Sequence, residues 1–522
     1  MCSLNMKLRG SVPVVAVGLM VIAPVWSQTL GPDVIVGELG PMNDYARGDG
    51  IAALAMTTIS CNVGDQPLQW RRLPDNRHPV IAQNFYRLKD GRMEQIGQAW
   101  VKHGFTALQM QTCFSDCVPT ASTQLGVHCS DPYVASLNEG LSQPGPGLGP
   151  RSEINPVTGY FDGATANNHH GHVHTAISHG LQVPHVDIGN PGARYFAEAQ
   201  YIAADDALAG NGNNNVSHRE FRVTGTGANW SFAVADQTVR EQPAVLAWPE
   251  ADFVVLDSWP EDGRIIVAYH ITDFGGTFRY DYAVYNMNSE RGIASFSVPV
   301  GSAEVITGFS APRSHDEEDF TNVPWAPEGV DGELIWSTEP YTPEKPPKPS
   351  NPIRWGTMYN FWFESDAAPV VSVATLGRYR PGEGPSFLRA RVLGPAPGDC
   401  NGNQTSDAED IFNGTSDDAD QDGLPDECEF CTRSAACGAA TQCKEHACRD
   451  GWCLHRPLVY GDANDDGLLR RADIDCVVDA FAFIPSCPRP DWFPCSPDQE
   501  VTMDDVLAVL EAIRGPFTCC LP

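Results

Sequence analysis

Short runs of β-branched and aromatic residues, broken by Gly, Pro, Asn and Asp, fill the chain from Gln28 to about Arg391. PHVDI, NWSFAVA, RIIVAYHITD, FRYDYAVYNMN, ASFSVPV, ELIWST, MYNFWFES and VVSVATLGRY are all of strand length. Some alternate: Phe278, Tyr280, Tyr282 and Val284 fall two apart, which puts them on one face of an extended chain. Strands of this kind separated by turn residues predict a mainly β protein built from antiparallel sheets, with a β-sandwich over 241–393. Residues 28–240 read as a further β-rich region, either a second β domain or long excursions from the first; the runs SQPGPGLGP and GNGNNN interrupt it. TPEKPPKPSNP, Thr342 to Pro352, reads as a polyproline-like loop within the sandwich, and PAPG, Pro395 to Gly398, as a linker. Helical spacing is confined to the far end, at Ile474, Val477, Val478 and Phe481 and again at Asp505, Val506, Leu507, Val509 and Leu510.

Residues 1–27 carry Lys7 and Arg9, an apolar run from Val12 to Val25 and a small residue at Ser27, the layout of a secretory signal peptide. No later stretch holds eighteen apolar residues in a row, so no transmembrane anchor is expected in the mature chain. Of 522 residues, 66 are Asp or Glu against 34 Lys or Arg, a net charge of −32 that excludes a nucleic-acid partner for want of a basic stripe. Of 17 cysteines, Cys2 leaves with the leader, and the even remainder implies disulfides in an oxidising compartment. Cys61, Cys113, Cys117 and Cys129 lie early, and the others follow Pro397. The segment 431–457 is too small for a core of its own and needs stapling. Zinc is the rival reading, but the CxxC of Cys428 and Cys431 lacks a second pair at the usual spacing.

Between these parts, 394–430 is so acidic that it needs a cation to fold. Asp418, Asp420, Asp422, Gly423, Asp426 and Glu429 take the first, third, fifth, sixth, ninth and twelfth places of a loop that also offers the carbonyl of Leu424 at the seventh. Oxygens at these places, with glycine at the turn, surround Ca²⁺. Upstream, Asp399, Asn401, Asn403, Asp407 and Asp410 repeat the order, with Gln404 where glycine is wanted. Downstream, Asp462, Asn464, Asp466, Gly467 and Asp473 make a third loop. All offer hard oxygen ligands, which select Ca²⁺ over zinc or copper.

The third loop, followed at once by Ile474 and one helix, resembles the calcium half-repeat of a dockerin, the module that docks onto cohesin-bearing scaffolds. The matching half would end in VTMDDVLAVLEAIRG, although its loop offers only Ser496, Asp498 and Asp505 and has Gln499 in place of glycine. The earlier loops resemble thrombospondin type 3 repeats, an EF-hand-type arrangement of calcium along a cysteine-stapled chain. The whole pattern, DCNGNxxSDAxDI followed by DADxDGxPDECE, is also similar to large secreted proteins of planctomycete-like bacteria. These resemblances cover the last quarter of the chain. They imply a two-helix docking module over 458–522 and a cohesin-like or cell-surface protein, or a polysaccharide, as partner.

Elsewhere the candidate chemistry is thinner. His170, His172 and His174 alternate within NNHHGHVHTAISHG and would share one side of an extended chain, yet their flanks are those of an exposed loop. A copper monooxygenase acting on polysaccharide requires histidine as the first mature residue, and cleavage after Ser27 leaves Gln28. The sandwich carries many carboxylates, among them Asp257, Asp262, Asp281 and Glu290, with nothing to fix a pair, and no GxSxG, HExxH, GxGxxG or phosphate-loop motif occurs. Tyr280, Tyr282, Tyr285, Trp336, Trp355, Tyr359 and Trp362 read as core rather than as a sugar-stacking platform. Two functions follow as expectations: a secreted calcium-binding attachment protein, or an extracellular polysaccharide-degrading hydrolase or carbohydrate-binding protein carried by the same tail.

Overall fold

The computed structural model describes residues 29–141, 148–166, 175–227, 229–258, 262–300, 306–315, 320–330, 332–343, 350–400, 403, 405–418, 425, 428, 444–449, 452–457, 474 and 477–478. Its sheets are antiparallel, as the alternation predicts. The region before residue 240 forms its own ten-stranded sheet. Across it run Val34–Gly48, Ile51–Asn62, Leu181–Pro184, Arg92–Gln98, Val80–Lys89, Arg194–Ile202, Val216–Thr226 and Asn229–Val234, with Lys102–His103 and Ser130–Tyr133 pairing off this path. The sheet rolls, so that Val34, Val36, Leu39 and Met42 share one core with Phe221 and Phe232 from its far end.

The rolled sheet is closed at the first strand by side chains. Val34–Gly48 pairs along one edge with Ile51–Asn62. On the other side the Asp206 carboxylate accepts the Val34 N–H at 2.8 Å, and Thr238 Oγ1 accepts that of Leu39 at 3.0 Å. Ser217 Oγ donates to the Val36 carbonyl and Arg240 Nε to that of Gly37, each at 2.7 Å, while Arg219 donates to Leu39. Backbone groups that an edge strand would leave open are thereby satisfied one by one.

From Asp252 to Gly394 two five-stranded sheets enclose a second core. One orders Asp252–Asp257, Arg264–Asp273, Phe278–Asn286, Thr357–Ser365 and Ile306–Ser310; the other orders Pro327–Val330, Glu333–Ser337, Ile293–Pro299, Val370–Arg378 and Phe387–Gly394. Tyr280, Tyr282 and Val284 point into the space between them with Phe296, Trp336, Tyr359 and Phe361. These aromatics are thus core; Trp355 is buried elsewhere, against Val80, Val101 and Ile154 of the N-terminal unit, and Trp362 is half-covered by Arg92, whose guanidinium lies 3.5 Å from its ring centre.

The alternate residues of the same strand, Ala283 and Tyr285, face the other way and pack with Tyr86, Met93, Phe196, Val216 and Trp248 of the N-terminal unit. The sheet containing Phe278–Asn286 is therefore buried on both faces, the middle of three layers.

Polar side chains lock this contact. Glu198, fully buried, accepts hydrogen bonds from Asn84 Nδ2 and the Tyr86 hydroxyl at 2.8 Å, the Tyr285 hydroxyl at 3.1 Å and the Ala244 N–H at 2.7 Å. Arg151 donates to Asn84 Oδ1 at 2.7 Å and to the carbonyls of Gln83, Ala99 and Gly356 at 2.8 to 2.9 Å. Gly356 has φ +68°, and a Cβ there would stand 2.3 Å from Arg151 Nη1, so only glycine fits. Glu198→Leu strands four donors in a buried interface and should cost about 3–5 kcal/mol, with Glu198→Gln losing less because it keeps one acceptor. Denaturant unfolding of the two variants checks this order.

Candidate calcium centre

The strand Phe387–Gly394 leads through Pro395–Gly398 into the first acidic loop, where a short helix, Asp407–Asn413, follows at once. Its start and stop are local. Ser406 caps it by accepting the Glu409 N–H, and Gly414 closes it in the left-handed region at φ 69°.

The loop draws its expected ligands toward one another. Asp399 Oδ1 accepts the Asn403 N–H at 3.1 Å, so the first and fifth places of the spacing are joined. Asn403 Nδ2 donates to Asp410 Oδ2 at 2.8 Å, joining the fifth and twelfth. Asp407, at the ninth, turns inward: its Oδ1 accepts the Cys400 N–H at 2.8 Å, and its Oδ2 is buried without a hydrogen-bond partner. Burial raises the Asp407 carboxyl, opposed by the Cys400 N–H; the charges of Asp399 and Asp410 push the same way as burial and Arg389 pulls against it. Such a group gains from a nearby cation.

A disulfide fixes the loop. Cys400, at its second place, bonds Cys428, and both pack on Val373 of the sandwich. Cys400, Asp407 and Cys428 also bring ligand atoms within 4.8 Å of one another, but the sulfurs are bonded to each other and cannot act as thiolates, which leaves Asp407 as the available donor. Asn401 lies outside the described residues, as do Asp420, Asp422, Leu424, Asp426 and Glu429 of the second loop and Asp462, Asn464, Asp466 and Asp473 of the third; Asp418 is described at the end of the segment following the helix. Ile474, Val477 and Val478 are helical, and Val477 is buried.

Four of the carboxylates of the sandwich are claimed by arginine. Asp281 is held by Arg92 and Arg279 at 2.6 Å each, Asp262 by Arg378 at 2.7 Å and Asp257 by Arg264 at 2.7 Å, and Glu290 pairs with Arg380. Fixed ion pairs of this kind suit structure better than proton transfer.

His78, His103 and Lys102, which the fold buries, were not visible as a motif. His169, His170, His172 and His174 lie outside the described residues, whereas His179 stacks on Trp100 with ring centres 3.9 Å apart. His78 and His103, far from that run, share a hydrogen bond of 3.0 Å, and burial pulls His78 down to about 4. Beside them Lys102 is buried, its Nζ 3.4 Å from the Tyr133 ring centre and 4.7 Å from that of Phe105. Burial lowers its amine from 10.5 to about 7, and burial raises Asp131 to about 6. The enclosed space beside Trp100, Lys102 and Asn138 is about 10 Å³, room for one water and no substrate.

The cluster does set a pH dependence. Between pH 7 and 10.5 the unfolded chain binds the Lys102 proton that the folded chain has released, so stability rises with pH there, by up to about 1.4 kcal/mol per unit. Between pH 3.8 and 6 Asp131 acts in the opposite sense, since the folded chain then holds the extra proton. Lys102→Met should flatten the rise above pH 7, as read by denaturant midpoints from pH 6 to 9.

No protein-family model matches this chain, and no curated protein does. Among solved structures fifteen chains match. One is a serine-rich repeat adhesion glycoprotein from Streptococcus agalactiae, 9% identical, spanning 68% of this chain and 97% of that one at a TM-score of 0.16. A likeness this slight carries no argument.

Proposed function

We propose that this chain is a secreted, calcium-dependent attachment protein, in which two packed β units are carried by a C-terminal tail that Ca²⁺ and disulfides make rigid. The observation that carries the reading is the loop Asp399 to Asp410, where Asp399, Asn403 and Asp410 are linked by hydrogen bonds and Asp407 keeps a buried oxygen without a partner. Bringing such carboxylates together is unfavourable until a cation neutralises them, so binding energy becomes folding energy for the tail. Asp399, Asn401, Asn403, Asp407 and Asp410 would hold the first ion, Asp418, Asp420, Asp422, Leu424, Asp426 and Glu429 the second, and Asp462, Asn464, Asp466 and Asp473 the third. The dockerin-like end would then present its helices to a cohesin-like or cell-surface partner.

Disulfides among the described residues, Cys61–Cys113, Cys117–Cys129 and Cys400–Cys428, suit an oxidising, extracellular setting. No described helix is long and apolar enough to cross a membrane. A polysaccharide hydrolase carried by the same tail needs two carboxyl groups facing across a cleft, and the arginine pairs of Asp257, Asp262, Asp281 and Glu290 weigh against finding them on the sandwich.

The test is calorimetric titration of Ca²⁺ into the full chain after chelation, with protease resistance of the tail followed alongside. Asp407→Ala and Asp410→Ala should each weaken one class of site by roughly tenfold or more and leave the tail open to cleavage near residue 410. Unchanged titration curves in both variants would sink the assignment of this loop.

A further inference from the structure

The start of the first strand buries two carboxylates, and among the described residues no cationic side chain acts on either. Asp33 and Asp206 are both fully buried. The groups acting on them are amides, the Thr29 hydroxyl, a backbone N–H and neighbouring carboxylates, and burial pushes both carboxyls up, Asp206 most strongly. Asp206 lies in the short helix Ala204–Leu208, and Asp33 immediately precedes Val34–Gly48. The run Gly210 to Asn215 brings asparagines against both. Asn215 Nδ2 donates to Asp206 Oδ2 at 2.7 Å, and Asn214 Nδ2 donates to the two Asp33 oxygens at 3.2 and 3.1 Å.

Each of these amides spends its nitrogen on a carboxylate and leaves its oxygen buried with no hydrogen-bond partner. Asn215 is only 1% exposed, so its orphaned oxygen has no solvent to turn to. A buried acceptor without a donor is costly, and so is a buried carboxylate without a counter-charge. Asp33 acts on Asp206 and the two amides are consecutive in the chain, so both costs fall in one neighbourhood. A cation offsets the charge of both carboxylates at once and, with the amides turned, takes their oxygens as ligands.

We propose that Asp33, Asp206, Asn214 and Asn215 form a Ca²⁺ site in the N-terminal unit, separate from the acidic tail. Carboxylate and amide oxygens are the hard donors that Ca²⁺ selects, and its flexible coordination tolerates side chains gathered from a strand start, a helix and a loop. Turning either amide about its last bond exchanges nitrogen for oxygen, so each can meet an ion without a change of backbone. The neighbouring residues Asn211 to Asn214 are half-buried, which gives the ion a route from solvent and room for water to complete its shell. Asp206 also accepts the Val34 N–H at 2.8 Å, so the ion would fasten the edge at which the rolled sheet is closed.

Hydrogen exchange of the full chain, read peptide by peptide after chelation, tests this. Adding Ca²⁺ at ten times its dissociation constant should slow exchange in peptides covering 29–40 and 204–218 by about tenfold, and Mg²⁺ at the same concentration should not. Asp206→Asn should abolish that response while the calcium response of 399–418 persists. Should Asp206→Asn fail to fold, Asn214→Ala, in the half-buried loop, gives the same readout. No calcium-dependent change at 29–40 and 204–218 in the parent chain, or an equal change with Mg²⁺, overturns the site. Loss of response at 399–418 alone would instead count against the tail reading and leave this one standing.

Discussion

The fold depends on one buried carboxylate. Glu198 sits where the rolled N-terminal sheet meets the back of the sandwich, and the hydroxyls of Tyr86 and Tyr285, one from each side, converge on it. Charge taken out of water is tolerated only when it is fully hydrogen-bonded, and here the bonds come from both units. Arg151, one residue away through Asn84, reaches across to the Gly356 carbonyl of the sandwich. Apolar contact between the units would permit sliding. This network permits one register, because every donor has a designated oxygen. That explains why the sheet holding Phe278–Asn286 carries two sets of alternating side chains, one for each neighbour.

What could be read from the residues follows from how local each signal is. The alternation of Phe278, Tyr280, Tyr282 and Val284 places those residues correctly because a regular strand repeats every second residue. The first strand escaped the same reading. Val34–Gly48 contains Gly37, Gly40 and Pro41 and shifts register three times against its partner, between Val36 and Glu38, Leu39 and Met42, and Asp44 and Ala46, which erases a period of two. Whether the early region was a separate unit could not be read for a related reason: the answer lies in pairings between distant segments, such as Arg194–Ile202 with Val80–Lys89.

The candidate sites divide along the same line. The spacing of Asp399 to Asp410 stands out in the sequence because the loop expected there is local, with each oxygen-bearing residue at a set offset from the last. Lys102, Glu198, Asp33 and Asp206 were not, since their burial is decided by residues tens to hundreds of positions away. GNGNNN read only as a turn-rich interruption. Its asparagines acquire meaning from Asp33, some 180 residues earlier and reached at 3.1 to 3.2 Å. The aromatic residues went the other way: their crowding in strands pointed to a core, and a core is what they form.

The side-chain closure of the first strand bears on how the molecule meets other extended chains. A rolled sheet that ends in an open edge offers any extended peptide a ladder to join. Here Asp206, Ser217, Arg219, Thr238 and Arg240 occupy the rungs of that ladder individually. An incoming strand would have to displace several of them together before gaining its first pair of bonds. At this edge the fold therefore resists strand addition by chemistry carried in a handful of side chains rather than by a covering element.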